Sequence, residues 1–204
     1  MVGIVSYGLG NIKAFANIYK NLNIDYKIVS RVEDFDGVTK IILPGVGSFD
    51  YAMKLLNSSG LRDKLDSLVL DKKIPVLGIC VGLQIMAKRS EEGILDGLGW
   101  IDAEVLQLDK TLLSKYQPLP HMGWNSIEIK KTSPLLNGIE NGARFYFLHS
   151  FYIKCNNSDD IIATSFYGEE FNCIINHNNI YGIQPHPEKS HRNGINLLKN
   201  FGEL

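Results

Sequence analysis

Cys80 stands between two glycines in Gly78-Ile79-Cys80-Val81-Gly82, directly after the apolar run Pro75-Val76-Leu77. A thiol placed this way reads as the tip of a buried strand. It is the sulfur counterpart of the Gly-x-Ser-x-Gly elbow, where glycines permit a strained strand-to-helix turn that holds the nucleophile clear of the sheet. A helix running on from Gly82 through Leu83, Gln84, Ile85, Met86 and Ala87 would aim its free N–H groups at the sulfur and favour the thiolate. The competing reading is a buried structural thiol, because cysteine is among the most buried residue types. A nucleophile also needs a base. His186, in Gln184-Pro185-His186-Pro187-Glu188, offers an imidazole. In an extended segment Glu188 points to the same side and can orient the ring, which completes a nucleophile, base and orienter set. Taken alone, His-Pro-Glu also reads as a polar surface turn. A metal set of His186, Glu188 and His191 lacks the single helical face and the second ligand cluster that it needs, so no metal is expected.

The elements that must bring these groups together follow from periodicity. Val2 to Tyr7, Tyr26 to Val29 and Lys40 to Leu43 read as strands, and the segment from Ile12 to Leu22 reads as a helix with apolar residues every three to four positions. Helical stretches from Phe49 to Asn57 and from Leu61 to Leu70 lead to the Cys80 strand. That alternation predicts an α/β fold with a mainly parallel sheet flanked by helices. From Ala103 to Gln184 short strands punctuated by Asn, Gly and Pro predict an added antiparallel portion, with a hairpin turn at Asn176-His177-Asn178-Asn179. A last helix from Ile195 to Phe201 is expected to pack Ile195, Leu198 and Phe201. The loop Pro44-Gly45-Val46-Gly47 ends a neighbouring strand, where open α/β sheets bind ligands. An N–H from this loop, with that of Val81, would make an oxyanion hole, although an ordinary strand-to-helix turn looks the same. Gly8-x-Gly10 does not extend to a dinucleotide fingerprint, since Lys13 occupies the third glycine position. No cofactor is expected.

Two aromatic segments stand out. Pro120-His121-Met122-Gly123-Trp124-Asn125 reads as a loop suited equally to core packing and to contact with a partner. Phe145 to Tyr152 reads as a strand pair with His149-Ser150 at its centre. With 204 residues, a hydrophobic fraction of 45%, a charged fraction of 21% and a net charge of -1, the chain is expected to be a single domain over 1-204. It has no general attraction for nucleic acid or membrane. No apolar stretch approaches the ~20 residues needed to span a bilayer, and a cytoplasmic protein is expected. Three cysteines without CxxC spacing suggest neither a disulfide framework nor a zinc site.

Together, Gly78 to Gln84, Pro44 to Gly47 and His186-Pro187-Glu188 resemble the class I (triad) glutamine amidotransferases. Tyr7-Gly8-Leu9-Gly10-Asn11, Pro120 to Asn125 and Tyr146-Phe147-Leu148-His149-Ser150 are similar to the glutaminase subunits of imidazole glycerol phosphate synthases. The resemblance implies Cys80, His186 and Glu188 as the triad, with Val46, Gly47 and Val81 at the oxyanion. It also implies that Gly45, Gln84, Glu92, His149, Ser150 and Phe151 hold glutamine. The partner it implies is a (β/α)8-barrel cyclase subunit in a heterodimer, met by Asn11, Met122, Trp124, Asn125 and Lys189. Pro185, Ser6, Val81 and Phe151 depart from residues common in the family, and none removes a reacting group. Ser190-His191-Arg192 looks more like paralogues that supply ammonia for amidino groups on surface sugars. That alternative stays open here, as do a stand-alone cysteine hydrolase and a non-enzymatic binding module.

Overall fold

The computed structural model describes Met1–Leu204. The chain runs β1 (Val2–Val5), α1 (Ile12–Asn21), β2 (Tyr26–Val29), β3 (Lys40–Gly45), α2 (Phe49–Ser58), α3 (Arg62–Asp66), β4 (Val76–Cys80) and α4 (Val81–Gln84). It continues through β5 (Arg89–Ser90), β6 (Ala103–Gln107), β7 (His121–Ser126), β8 (Glu128–Ile129), β9 (Arg144–His149) and β10 (Phe151–Cys155). Last come β11 (Ile161–Tyr167), β12 (Glu169–His177), β13 (Ile180–Ile183) and α5 (His191–Glu203). β1, β3 and β4 are apolar runs buried almost throughout, as strands covered on both faces must be. The covering helices bury one stripe each, Phe15, Ala16 and Tyr19 on α1 and Phe49, Ala52, Met53 and Leu56 on α2.

An eight-stranded sheet has the order β2-β1-β3-β4-β13-β12-β11-β8. From β2 to β13 neighbours are parallel, and from β13 to β8 they are antiparallel. β4 is central and pairs with β3 on one side and β13 on the other. In register, Gly45 lies beside Cys80, and Ile183 beside Ile79. The carboxyl ends of these three strands therefore deliver the glycine loop, the cysteine and the Gln184 to Glu188 segment to one place. A three-stranded sheet (β10-β6-β5) and the β7-β9 pair complete the fold. One core of 56 buried residues includes side chains from both halves of the sequence. No helix is long and apolar enough to cross a membrane.

Several local expectations are corrected. Helix α4 stops after four residues, because Leu98, Gly99 and Trp100 donate N–H groups to the carbonyls of Ile85, Ala87 and Met86 and draw the chain away from the helical path. Its short run supplies little of the dipole that a long helix would aim at Cys80. Pro120 to Asn125 is not a loop: His121–Ser126 forms β7 against β9, with side chains alternating between faces. β9 and β10 flank Ser150 but join different sheets, so Phe145 to Tyr152 is not a mutual pair. On α5 the buried residues are Gly194, Leu197, Leu198 and Phe201, whereas Ile195 is 41% exposed. The hairpin turn at Asn178 forms as expected, with φ of 55°.

Candidate active site

The elbow forms because two glycines let the backbone close on itself. A Cβ on Gly82 would overlap the Leu43 carbonyl oxygen, and one on Gly45 would overlap the Gly82 nitrogen. This contact fixes β3 against the turn. Cys80 itself has φ 54° and ψ -114°, a conformation that L side chains rarely adopt and that marks a nucleophile held off its sheet. Its sulfur is almost wholly buried and opens into a cavity of 390 Å³.

His186 Nδ1 lies 3.0 Å from Glu188 Oε1, both side chains being nearly inaccessible. The other ring nitrogen is left for Cys80, which lines the same cavity. Burial alone would strip the imidazole of its proton. Hydrogen bonds to Cys80 and Glu188, and the charges of both, outweigh burial and raise the pKa from 6.5 to about 10. The expected extended segment is in fact a 3₁₀ turn, Pro187–Lys189, which folds Glu188 back under the ring. Proline is well suited to its first position. The turn is tied to β9: the His186 N–H donates to the Tyr146 carbonyl (2.8 Å), and Ser190 Oγ donates to the His186 carbonyl (2.6 Å) while accepting from the Tyr146 N–H (2.9 Å).

The cavity wall also carries Asn11, Val46, Gly47, Val81, Gln84, Glu92, His149, Ser150, Phe151 and Lys189. Gly45 is not on the wall but beneath it, against Gly82. Glu92 accepts from the Phe49 N–H at 2.8 Å and so anchors the far end of the glycine loop. The near end is held by Tyr7, whose hydroxyl donates to the Pro44 carbonyl at 2.8 Å, and by Gly10, where a Cβ would collide with the Pro44 ring. Gly8-x-Gly10 thus has a use that no nucleotide motif explains. His149 turns its ring inward. Its Nδ1 donates to the Phe151 carbonyl (3.0 Å), and its Nε2 accepts from His121 Nδ1 (3.0 Å). Burial holds both rings neutral, lowering His121 to about 4 and His149 to about 3.

Met122 and Trp124 lie on the outer face of β7, 60% and 38% exposed. Asn125 belongs to the opposite face, because strand side chains alternate. It donates to the Phe166 carbonyl (2.9 Å) and bonds His121 Nε2 (3.3 Å). Trp124 stacks on His191 at 5.1 Å and meets Tyr146 edge-on, and the Lys189 ammonium lies over the Tyr146 ring at 5.6 Å. Sequence reasoning missed Gln184, Tyr146 and Ser190. A serine four residues after the base was a usable signal for the last. Gln184 was hidden, since only strand order puts it beside Cys80.

A cysteine on a strained turn at the carboxyl ends of parallel strands, sharing a cavity with a histidine that is backed by a glutamate, defines an α/β enzyme of the thiol acyl-transfer class. The family described as "Glutamine amidotransferase class-I" matches residues 5–203, and the chain belongs to it. It is 52% identical over 204 residues to "Imidazole glycerol phosphate synthase subunit HisH" of Bdellovibrio bacteriovorus and 50% identical to the protein of that name from Leptospira borgpetersenii, each comparison covering 100% of both chains. Among solved structures, a glutamine amidotransferase from Thermotoga maritima superposes with a TM-score of 0.64 at 18% identity, covering 94% of this chain and 77% of that one. At that identity the likeness speaks for the fold.

Proposed function

We propose that this chain is the glutaminase subunit of an imidazole glycerol phosphate synthase, releasing ammonia from glutamine for a step of histidine biosynthesis. The observation that carries the reading is the cavity shared by the Cys80 sulfur and a His186 ring that is held from behind by Glu188 at 3.0 Å. The relatives' full-length likeness supplies the pathway. All 204 residues act as one amidotransferase domain, a reading supported by the continuous core.

Cys80 Sγ attacks the side-chain amide carbon of glutamine. The oxyanion that develops is received by the N–H groups of Val81 and of Val46 or Gly47. His186 gives its proton to the leaving nitrogen, ammonia departs, and a γ-glutamyl thioester remains. Acylation removes the negative sulfur, one of the causes that raise His186, so the ring now serves as a base. It takes a proton from water, whose oxygen attacks the thioester, and glutamate is released as the thiolate and imidazolium are restored. Gln84, Glu92, Ser150 and Phe151 line the space for the amino-acid end of the substrate. Ammonia passes to a (β/α)8-barrel cyclase subunit in a heterodimer. Support for that partner comes from exposed Met122 and Trp124, the latter against Tyr146, whose ring lies under the ammonium of Lys189 on the cavity wall.

The test is glutamate release by the chain co-purified with its barrel subunit. Cys80→Ala should reduce it by about a thousandfold or more. Restored growth of a histidine auxotroph would support the pathway; glutamate release without complementation would move the acceptor to amidino-sugar synthesis. Peptidase or esterase activity from the free chain, without glutaminase activity in the complex, would sink the proposal.

A further inference from the structure

Gln184 is completely buried, yet its side chain sits beside the nucleophile, with Nε2 3.7 Å from Cys80 Sγ. The orientation of its amide is fixed by a chain of contacts with only one consistent direction. The Phe151 carbonyl can only accept, and Gln84 Nε2 lies 2.9 Å from it, so the nitrogen end of Gln84 faces that way. The same nitrogen is 3.1 Å from Gln184 Oε1 and uses its second hydrogen there. With its oxygen so engaged, Gln184 must turn its N–H toward the sulfur. His149 Nδ1 donates to the same Phe151 carbonyl, which anchors the chain's far end. The strand register explains the placement: Ile183 is opposite Ile79, so the next residue of each strand brings Gln184 beside Cys80.

We propose that Gln184 is a further catalytic residue, whose side-chain N–H donates to the Cys80 sulfur and stabilises the anion that attacks glutamine and leaves the thioester. The proposal rests on Cys80 being the nucleophile of glutamine hydrolysis. His186 must release its hold on the sulfur while it delivers a proton to ammonia. Gln184 carries no transferable proton and keeps its hydrogen bond through that step. The sulfur's other polar neighbour, the Leu148 carbonyl at 3.9 Å, accepts from a thiol and offers an anion nothing. Gln184 thus complements the anion, and the Leu148 carbonyl could serve only a protonated sulfur.

The test compares wild type, Gln184→Met and Gln184→Glu in the complex with the barrel subunit, by kcat and KM for glutamine. Alkylation of Cys80 by iodoacetamide is measured in parallel on the free chain. Methionine keeps the volume and removes the donor. Glutamate keeps the acceptor for Gln84, and donates to the sulfur only when protonated. At pH 8, Gln184→Met should lower kcat and alkylation about tenfold or more with KM within about twofold, as expected for loss of a charge-assisted hydrogen bond. Gln184→Glu should show a similar deficit at high pH that shrinks toward pH 6, since buried glutamates can titrate as high as about 8–9. A merely structural glutamine would give no such recovery. Gln184→Met with both rates within about twofold of wild type, or Gln184→Glu with a deficit independent of pH, overturns the proposal. If the wild-type complex releases no glutamate, the glutaminase reading fails, and alkylation still decides whether Gln184 stabilises the sulfur anion.

Discussion

At the scale of single residues, chemistry and stability meet in His186. Its pKa is raised from 6.5 to about 10 despite burial, because Cys80 and Glu188 hold the charged ring. A proton bound more tightly folded than unfolded stabilises the fold fully below about pH 6.5, and that contribution is lost as pH rises through about 10. Glu188→Gln removes one of the two groups responsible. Denaturant unfolding between pH 6 and 10 should therefore show wild type losing stability with rising pH and Glu188→Gln losing less. Wild-type stability that rose across this window would contradict the assignment. Activity should fall about a hundredfold or more in Glu188→Gln, because nothing then fixes the ring or favours its imidazolium. The residue types and their order were enough to single out Cys80, His186 and Glu188, which the fold brings to one cavity. Gln184 escaped because a glutamine at a strand end has many ordinary explanations until its neighbour across the sheet is known.

At the scale of elements, the strand-turn-helix at Cys80 stores strain that substitution can release. With φ at 54° and ψ at -114°, a Cβ at position 80 is costly, and glycine is the one residue without that cost. Cys80→Gly should be more stable than Cys80→Ala by about 1 kcal/mol in denaturant titrations, both being inactive. Equal midpoints would mean that the turn is unstrained. The opposite change belongs to Gly82, where a Cβ would overlap the Leu43 carbonyl oxygen. Gly82→Ala should cost about 1–3 kcal/mol, the range for overpacking, and should force β3 and its glycine loop away from the sulfur. The strands were legible because β1, β3 and β4 are short apolar runs between turn residues. α4 was misread because Leu83 to Ala87 looks helical, while the carbonyls that end the helix are claimed by Leu98 to Trp100, contacts that no local pattern contains. β7 was misread for a related reason: its alternation of His121, Gly123 and Asn125 inward with Met122 and Trp124 outward is hidden when the inward face is polar. His121 and Asn125 find partners on β9 and β11 as well as each other.

At the scale of the whole molecule, the parts assigned to the proposed chemistry differ in how firmly they are held. Cys80, His186 and Glu188 are buried and tied to the central sheet and to β9. Val46, 39% exposed, sits in a loop fixed only at its ends, through Tyr7 and Gly10 against Pro44 and Glu92 on Phe49. Neither Val46 nor Gly47 donates its N–H to a backbone carbonyl of the chain. The same rim leads through Lys189 and Tyr146 to Trp124. Under the proposed mechanism, a firmly placed nucleophile beside a loosely held oxyanion donor suits an enzyme that should not release ammonia before its acceptor subunit is in place. The free chain should therefore react with iodoacetamide at Cys80 yet hydrolyse glutamine about a hundredfold or more slowly than the complex, the usual effect of one missing oxyanion donor. Trp124→Ala should weaken assembly by about 2 kcal/mol, as buried aromatic anchors do at interfaces, and leave alkylation of the free chain unchanged. At saturating barrel subunit its glutaminase rate should recover. If Trp124→Ala instead slowed alkylation of the free chain, the tryptophan would be supporting the active site from within, and its exposed face would not be the docking surface.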